Sequence, residues 1–337
     1  MSIATTITSG ARALARAARE VLAQGVATCA ELFKIMIPVI VLVKVLQHFE
    51  LVEALARPLG PVMRLVGLPP EMGLVWATAL VNNIYTAMIV FLPLNADAPL
   101  TAAQATVLGT MVLVAHGLPV ELSIARKSGP RVAFQAFSRL FGALALGWLL
   151  SRGYAATGAL QEPARVLLAA PGAADSSLLA WALGEAKNLF SIFLIVTALM
   201  AMMRLLDAIG VIALLNRLLR PVLRLIGIGP RASAITVVGL GLGISYGGGL
   251  IINEARSGNI DRRDIFYSLT LMGLTHSVIE DTLLMLTLGG HLSGLLWGRL
   301  GYSVLFVALL VQAARRLPPQ WTDTLLWGAA KPKENTA

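Results

Sequence analysis

The sequence predicts an all-α integral membrane protein made of two inverted-topology repeats. Each repeat has three spanning helices, a re-entrant or broken helical hairpin and an interfacial amphipathic helix. Three observations lead there: an apolar composition with few charges, a self-similarity at one fixed offset, and a one-sided distribution of Lys and Arg.

The 337 residues are 57% hydrophobic and only 13% charged, about half the charged fraction of a soluble domain, and the mean hydropathy is +0.76. Apolar runs of bilayer-spanning length, about 20 residues, recur along the chain. Aromatic residues make up 6%, and no short alternating strands occur, so helices rather than a β-barrel are expected. The net charge of +9 is read as the cytoplasmic bias of membrane proteins, not as nucleic-acid binding. The single cysteine, Cys29, cannot build a disulfide framework or a cysteine metal cluster within one chain.

Self-similarity runs at an offset of 160 residues. "PVMRLVGLP" at 61–69 matches "PVLRLIGIG" at 221–229, and the same offset pairs Lys44 with Arg204, Thr101 with Asp261, His116 with His276, Glu121 with Asp281 and Arg139 with Arg299. A fixed internal period is the mark of a duplicated unit. The expected organisation is an N-terminal amphipathic surface helix (1–24), a first repeat (25–152), a Gly/Ala/Pro-rich linker (153–177), a second repeat (178–316) and a C-terminal cytoplasmic tail (317–337). The N-terminus carries Arg12, Arg16 and Arg19 at helical spacing and lacks the charged-then-apolar order of a signal peptide.

Each repeat opens with a helix, near 27–47 and 180–203. A Leu/Arg stretch closed by Pro or Gly follows, then an interrupted apolar segment, 72–94 and 232–252. The interruptions are Asn82-Asn83 in the first and two glycine clusters, at 239–243 and 247–249, in the second. Next come spans near 102–124 and 265–287, capped by Thr101 and Asp261 and carrying the histidines. The closing helices hold Arg139 and Arg299.

If all eight apolar segments cross, the flanking positive residues divide twelve against ten. If the interrupted segments return to the side they entered, eighteen lie on one side and only Arg57, Arg64, Arg152 and Arg165 on the other. The second division obeys the positive-inside rule, puts both termini in the cytoplasm, and gives each repeat an odd number of spans, hence opposite orientation. Inverted repeats with broken helices are the architecture of secondary transporters.

The stretches "RPLGPVMRLVGLPPEMGLVWATALVNNIYTAM" and "RPVLRLIGIGPRASAITVVGLGLGISYGGGLIINEARSG" resemble the nucleoside-recognition (Gate) domain. Concentrative nucleoside transporters, the membrane part of the ferrous-iron transporter FeoB, and spore maturation proteins A and B share it. The resemblance implies hairpin tips that form a substrate site, and homo-oligomeric assembly. The chain departs from FeoB at Gly241-Leu242-Gly243-Ile244-Ser245, which has no cysteine, and it carries no GTPase domain.

Candidate substrate- or ion-binding residues are Asn82, Asn83, Tyr85, His116, Glu121, Ser245, Tyr246, Asn253, His276, Glu280 and Asp281, with Arg139 and Arg299 as a structural ion pair for the acids. Ionisable groups within spans face a cavity or a partner, because lipid exposure is costly. On a continuous helix His276 and Glu280 share a face, while Asp281 points elsewhere. Two readings stay open: neutral histidines held by backbone hydrogen bonds beside Arg–carboxylate pairs, or a proton, cation or solute relay. Glu185 and Lys187, near the start of the fifth element, are read as solvated surface, with a place at the interface as the alternative. No P-loop, HExxH or nucleophile-elbow motif is present, so neither an enzyme nor a bound cofactor is expected, and any coupling would use protons or sodium.

The function expected is secondary transport of a small polar solute, nucleoside-like or cationic, across a bacterial inner membrane by alternating access, with membrane lipid as surroundings. The alternatives are a non-transporting assembly protein of the spore-maturation type and a divalent metal permease.

Overall fold

The computed structural model describes residues 3–49, 51–168 and 177–327; the side chains of 3–15, 17, 212, 216, 242 and 244–248 lie outside the described set. The chain begins with α1 (Ile3–His48), followed by the short helices α2 (Leu51–Ala56) and α3 (Gly60–Leu65). A helical pair follows, α4 (Met72–Val81) and α5 (Ile84–Asp97), then α6 (Ala102–Val114), α7 (Leu118–Ser128) and α8 (Val132–Thr157). The second half repeats the pattern with α9 (Leu178–Ala208), α10 (Val211–Leu225), the pair α11 (Pro230–Leu242) and α12 (Ile244–Ser257), then α13 (Arg262–Thr275) and α14 (Glu280–Leu286). A π-helical turn (Ser293–Gly298) leads into α15 (Arg299–Arg316), and α16 (Pro319–Thr322) with a second π-helical turn (Asp323–Trp327) ends the regular part. Among the described residues there is no strand; a lone bridge joins Thr101 and Pro163.

Among the described residues, six helices are long and apolar enough to cross a membrane: 18–48, 102–128, 132–157, 178–208, 262–286 and 293–316. The chain is an all-helical, multi-pass membrane protein. Burial sorts these helices into layers. The His-bearing segments are mostly buried, whereas 18–48 and 178–208 are mostly exposed and pack on one another at the periphery. Their close approach needs Gly25, where a Cβ would stand 2.5 Å from Thr197 Oγ1. Outward-facing Val41, Leu42, Phe190 and Leu194 supply an apolar surface suited to lipid.

Thr101 accepts from the backbone N–H of Gln104 in a reciprocal capping box, and Asp261 accepts from that of Arg263, so the two offset-related residues start α6 and α13. The interrupted segments are two helical pairs: Asn83 caps α5 by accepting from Thr86, and Gly243, at φ +92°, separates α11 from α12. α10 carries Arg217, Arg220 and Arg224 at helical spacing beside exposed Leu214 and Leu218, the composition of an interfacial helix.

Three segments take a definite form. The surface helix of 1–24 is not separated from the first span, because α1 runs unbroken across Gly25, where no proline or turn intervenes. The linker of 153–177 is helical through Thr157, and its next segment is a strap. Leu160 and Glu162 carbonyls accept from the N–H groups of Ala103 and Ala102, the otherwise orphaned donors of α6. Leu167 donates to Thr287 O, and residues 169–176 lie outside the described set. The tail begins as packed structure. Trp327 stacks edge-on against Phe266 and Tyr267, Arg262 pairs with Asp323 at 2.8 Å, and Arg131 N–H donates to Leu326 O. Residues 328–337 are outside the described set.

Gly289 combines a φ of +85° with the strap backbone: a Cβ there would stand 3.0 Å from Arg165 N. Gly289→Ala is therefore expected to destabilise the protein by about 1–3 kcal/mol. Gly153→Ala, in open space on α8, is expected to be neutral or slightly stabilising. Thermal unfolding of the two variants in detergent checks the contrast.

Candidate functional site: a buried histidine pair

Both His-bearing spans break at their histidines. α6 ends at Val114 and α7 starts at Leu118; α13 ends at Thr275 and α14 starts at Glu280. Each break turns through a left-handed residue, Gly117 at φ +56° and its offset partner Ser277 at φ +43°. A left-handed serine costs about 1–2 kcal/mol relative to glycine, strain of a kind that gathers at functional sites. The expectation of one continuous helix over 265–287 is thereby corrected: His276 and Glu280 do not sit on successive turns of one helix. The helical pairs abut these breaks. Gly117 N–H donates to Ala79 O at 2.9 Å, and Val278 N–H donates to Leu240 O at 2.9 Å.

The breaks bring the two histidines together. His116 Nε2 and His276 Nε2 lie 3.2 Å apart, although 160 residues separate them. Glu121 Oε1 is 3.6 Å from the first and 3.5 Å from the second. Its other oxygen accepts from Arg139 Nη1 at 2.5 Å. Arg139 also donates from Nε to Val114 O (3.0 Å) and from Nη2 to His116 O (2.9 Å), so it satisfies the carbonyls that the broken helix leaves free. His116, Glu121, Arg139 and His276 are all buried.

The hydrogen bonds fix the histidine tautomers. His116 Nδ1 lies 3.0 Å from Val112 O, and His276 Nδ1 lies 2.9 Å from Met272 O. A carbonyl only accepts, so each Nδ1 carries the hydrogen and each neutral ring presents a bare Nε2 lone pair. Two lone pairs facing each other at 3.2 Å beside a carboxylate form a receptor for positive charge.

The second half lacks the matching closure. Arg299 is fully buried, yet only Nη2 has a partner, Thr282 Oγ1 at 3.2 Å; Nε and Nη1 have none. Asp281, the offset partner of Glu121, is one methylene shorter. Its backbone N–H donates to Ser277 O.

Of the other candidates, Glu280 meets Tyr85, whose hydroxyl donates to Glu280 Oε1 at 3.4 Å across 195 residues. Asn83 donates to Asn82 Oδ1 and accepts from Thr86 at the first break. Asn253 is exposed on α12, outside the buried cluster. Ser245 and Tyr246 belong to α12, but their side chains lie outside the described set. Sequence reading missed Ser277 and Thr282, whose roles depend on the break. It also missed Glu185, which is buried against Asn188 at 3.5 Å rather than solvated.

Residues 29–128 match the family model described as Gate, nucleoside recognition. This segment runs from within α1 through α7. A relative, the uncharacterized membrane protein YvoD of Bacillus subtilis (strain 168), is 28% identical over 307 residues, covering 88% of this chain and 95% of its own length. No solved structure matches.

Removing one member of a buried, hydrogen-bonded ion pair costs about 3–5 kcal/mol. Arg139→Met is expected to destabilise by that amount, and Glu121→Gln in the same background to recover part of it. Arg299→Met removes a guanidinium with two unpartnered nitrogens and is expected to cost under about 1 kcal/mol. Ser277→Gly is expected to stabilise by up to about 1 kcal/mol through relief of the left-handed serine. Equilibrium unfolding of the four variants tests this ordering.

Proposed function

We propose that the chain is a secondary transporter of a small polar solute or cation, working by alternating access between two inverted halves in the bacterial cytoplasmic membrane. In this reading both termini are cytoplasmic, the protein assembles as a homo-oligomer, and a proton or sodium gradient drives transport. The observation that carries the reading is the junction itself. Each half contributes one broken helix, and the two breaks meet at a buried pair of histidines. Broken helices that meet inside a bundle free backbone groups and side chains for a solute at the depth where neither side has access.

The unequal arginines supply the second support. Arg139 closes the first half with three hydrogen bonds, whereas Arg299 leaves two buried nitrogens unpartnered in the second. A buried donor without a partner costs about 1–3 kcal/mol, so the second half has reason to rearrange and the first does not. The occluded histidines then correspond to a closed state between outward and inward openings. The Gate match adds nucleosides to the solutes worth testing.

The test is uptake into proteoliposomes of nucleosides and divalent cations, under imposed proton and sodium gradients. At least one is expected to accumulate, with His276→Ala lowering the rate at least tenfold. Uptake of none, with His276→Ala silent in cells, contradicts transport and favours a non-transporting assembly role. Topology is checked in a Cys29→Ala background by single cysteines at exposed Ala96 and Arg256. The inverted arrangement predicts labelling from opposite sides, periplasmic and cytoplasmic; labelling from one side contradicts it.

A further inference from the structure

We propose that His116, His276 and Glu121 form a site for a divalent transition-metal ion of the zinc type, completed by Asp281. The proposal deepens the transport reading by naming the class of ion that the pair takes, and it rests on that reading only for the ion being carried. Binding itself stands on the geometry.

His116 Nε2, His276 Nε2 and Glu121 Oε1 form a nearly equilateral triangle with sides of 3.2, 3.5 and 3.6 Å. A point about 2.0 Å from all three atoms exists at its centre, and zinc bonds imidazole nitrogen and carboxylate oxygen at about 2.0–2.2 Å. A hydrogen-bonded chain would instead draw the carboxylate against one ring. Here Glu121 Oε1 stands almost equally far from both nitrogens, and no hydrogen bond from either ring holds it. His116, His276 and Asp281 each offer a ligand atom within 4.8 Å of the others, so Asp281 can supply the fourth position.

The surroundings match those of metal-binding histidines. Each Nδ1–H is held by a carbonyl, which fixes the ring and aims Nε2 inward. Arg139 holds the distal oxygen of Glu121 and leaves Oε1 for the ion. Two imidazoles with carboxylates favour zinc, cobalt, nickel, manganese or iron over magnesium and calcium, which prefer all-oxygen sites. The buried Arg139 and Arg299 nearby oppose a dication. They moderate its affinity, as a conducting or carrying site requires when the ion must also leave.

The experiment uses the full chain, purified without a polyhistidine tag, stripped with chelator and titrated with Co²⁺ and Zn²⁺ in detergent. One ion per chain is expected, with d–d absorption bands for Co²⁺ and an X-ray absorption signature of two imidazoles near the zinc. His116→Gln and His276→Gln are each expected to weaken binding at least a hundredfold, and Glu121→Gln about tenfold. His291→Gln, at an exposed histidine that bonds Ser293, leaves binding unchanged. Thermal unfolding of each variant confirms that it is folded. Binding that survives both histidine substitutions, or Mg²⁺ competing as well as Zn²⁺, overturns the proposal. Stoichiometric Co²⁺ binding without uptake of any solute upholds the site and removes transport. Nucleoside uptake with no metal binding does the reverse.

Discussion

The contact between His116 and His276 constrains the rest of the molecule. Each ring is locked by its own helix, His116 through Val112 and His276 through Met272. The two spans cannot slide past one another without separating the nitrogens. Around this contact the protein has buried two arginines and the Glu121 carboxylate, with Asp281 half-buried beside them, an arrangement lipid would not tolerate without partners. Arg139 is the partner for the first half. It bonds one carboxylate and two carbonyls at once, so removing it would strand a charge and two helix-end acceptors together.

The helix breaks explain why the contact is possible. A continuous helix would satisfy its own carbonyls and keep the side chains at 116 and 276 on its surface. Breaking it frees carbonyls for Arg139 and turns the histidines toward each other, at the expense of a left-handed serine in the second half. The adjoining helical pairs brace these turns through Ala79 and Leu240. The lipid-facing layer of α1 and α9 lies outside this, and its large exposed apolar side chains ask only for hydrocarbon.

Much of this was legible in the residues. The membrane class followed from composition, and six spans with two interrupted segments followed from apolar run length and charge sidedness. The 160-residue offset marked the related positions, including both helix caps. What the pattern could not carry was distance. Periodicity placed His276 and Glu280 on one helical face, whereas the left-handed Ser277 ends that helix first. Nothing in the pattern marks a serine as left-handed where its partner is Gly117. Likewise the offset made Arg139 and Arg299 equivalents. Their difference arises because Asp281 is shorter than Glu121 and the second break is longer, so only the first guanidinium reaches its carboxylate. The strap at 158–168 was invisible for a similar reason: its backbone, not its composition, supplies the acceptors for α6.

The proposed alternating access requires the half containing Arg299 to take two arrangements about the histidine pair. Pulsed electron–electron distance measurement between spin labels at the exposed positions Val81 and Leu250, in proteoliposomes, tests it most directly. Two distance populations are expected in the otherwise native chain, collapsing to one when Arg299→Met removes the unpartnered guanidinium. A single narrow distribution, unchanged by that substitution, would contradict it.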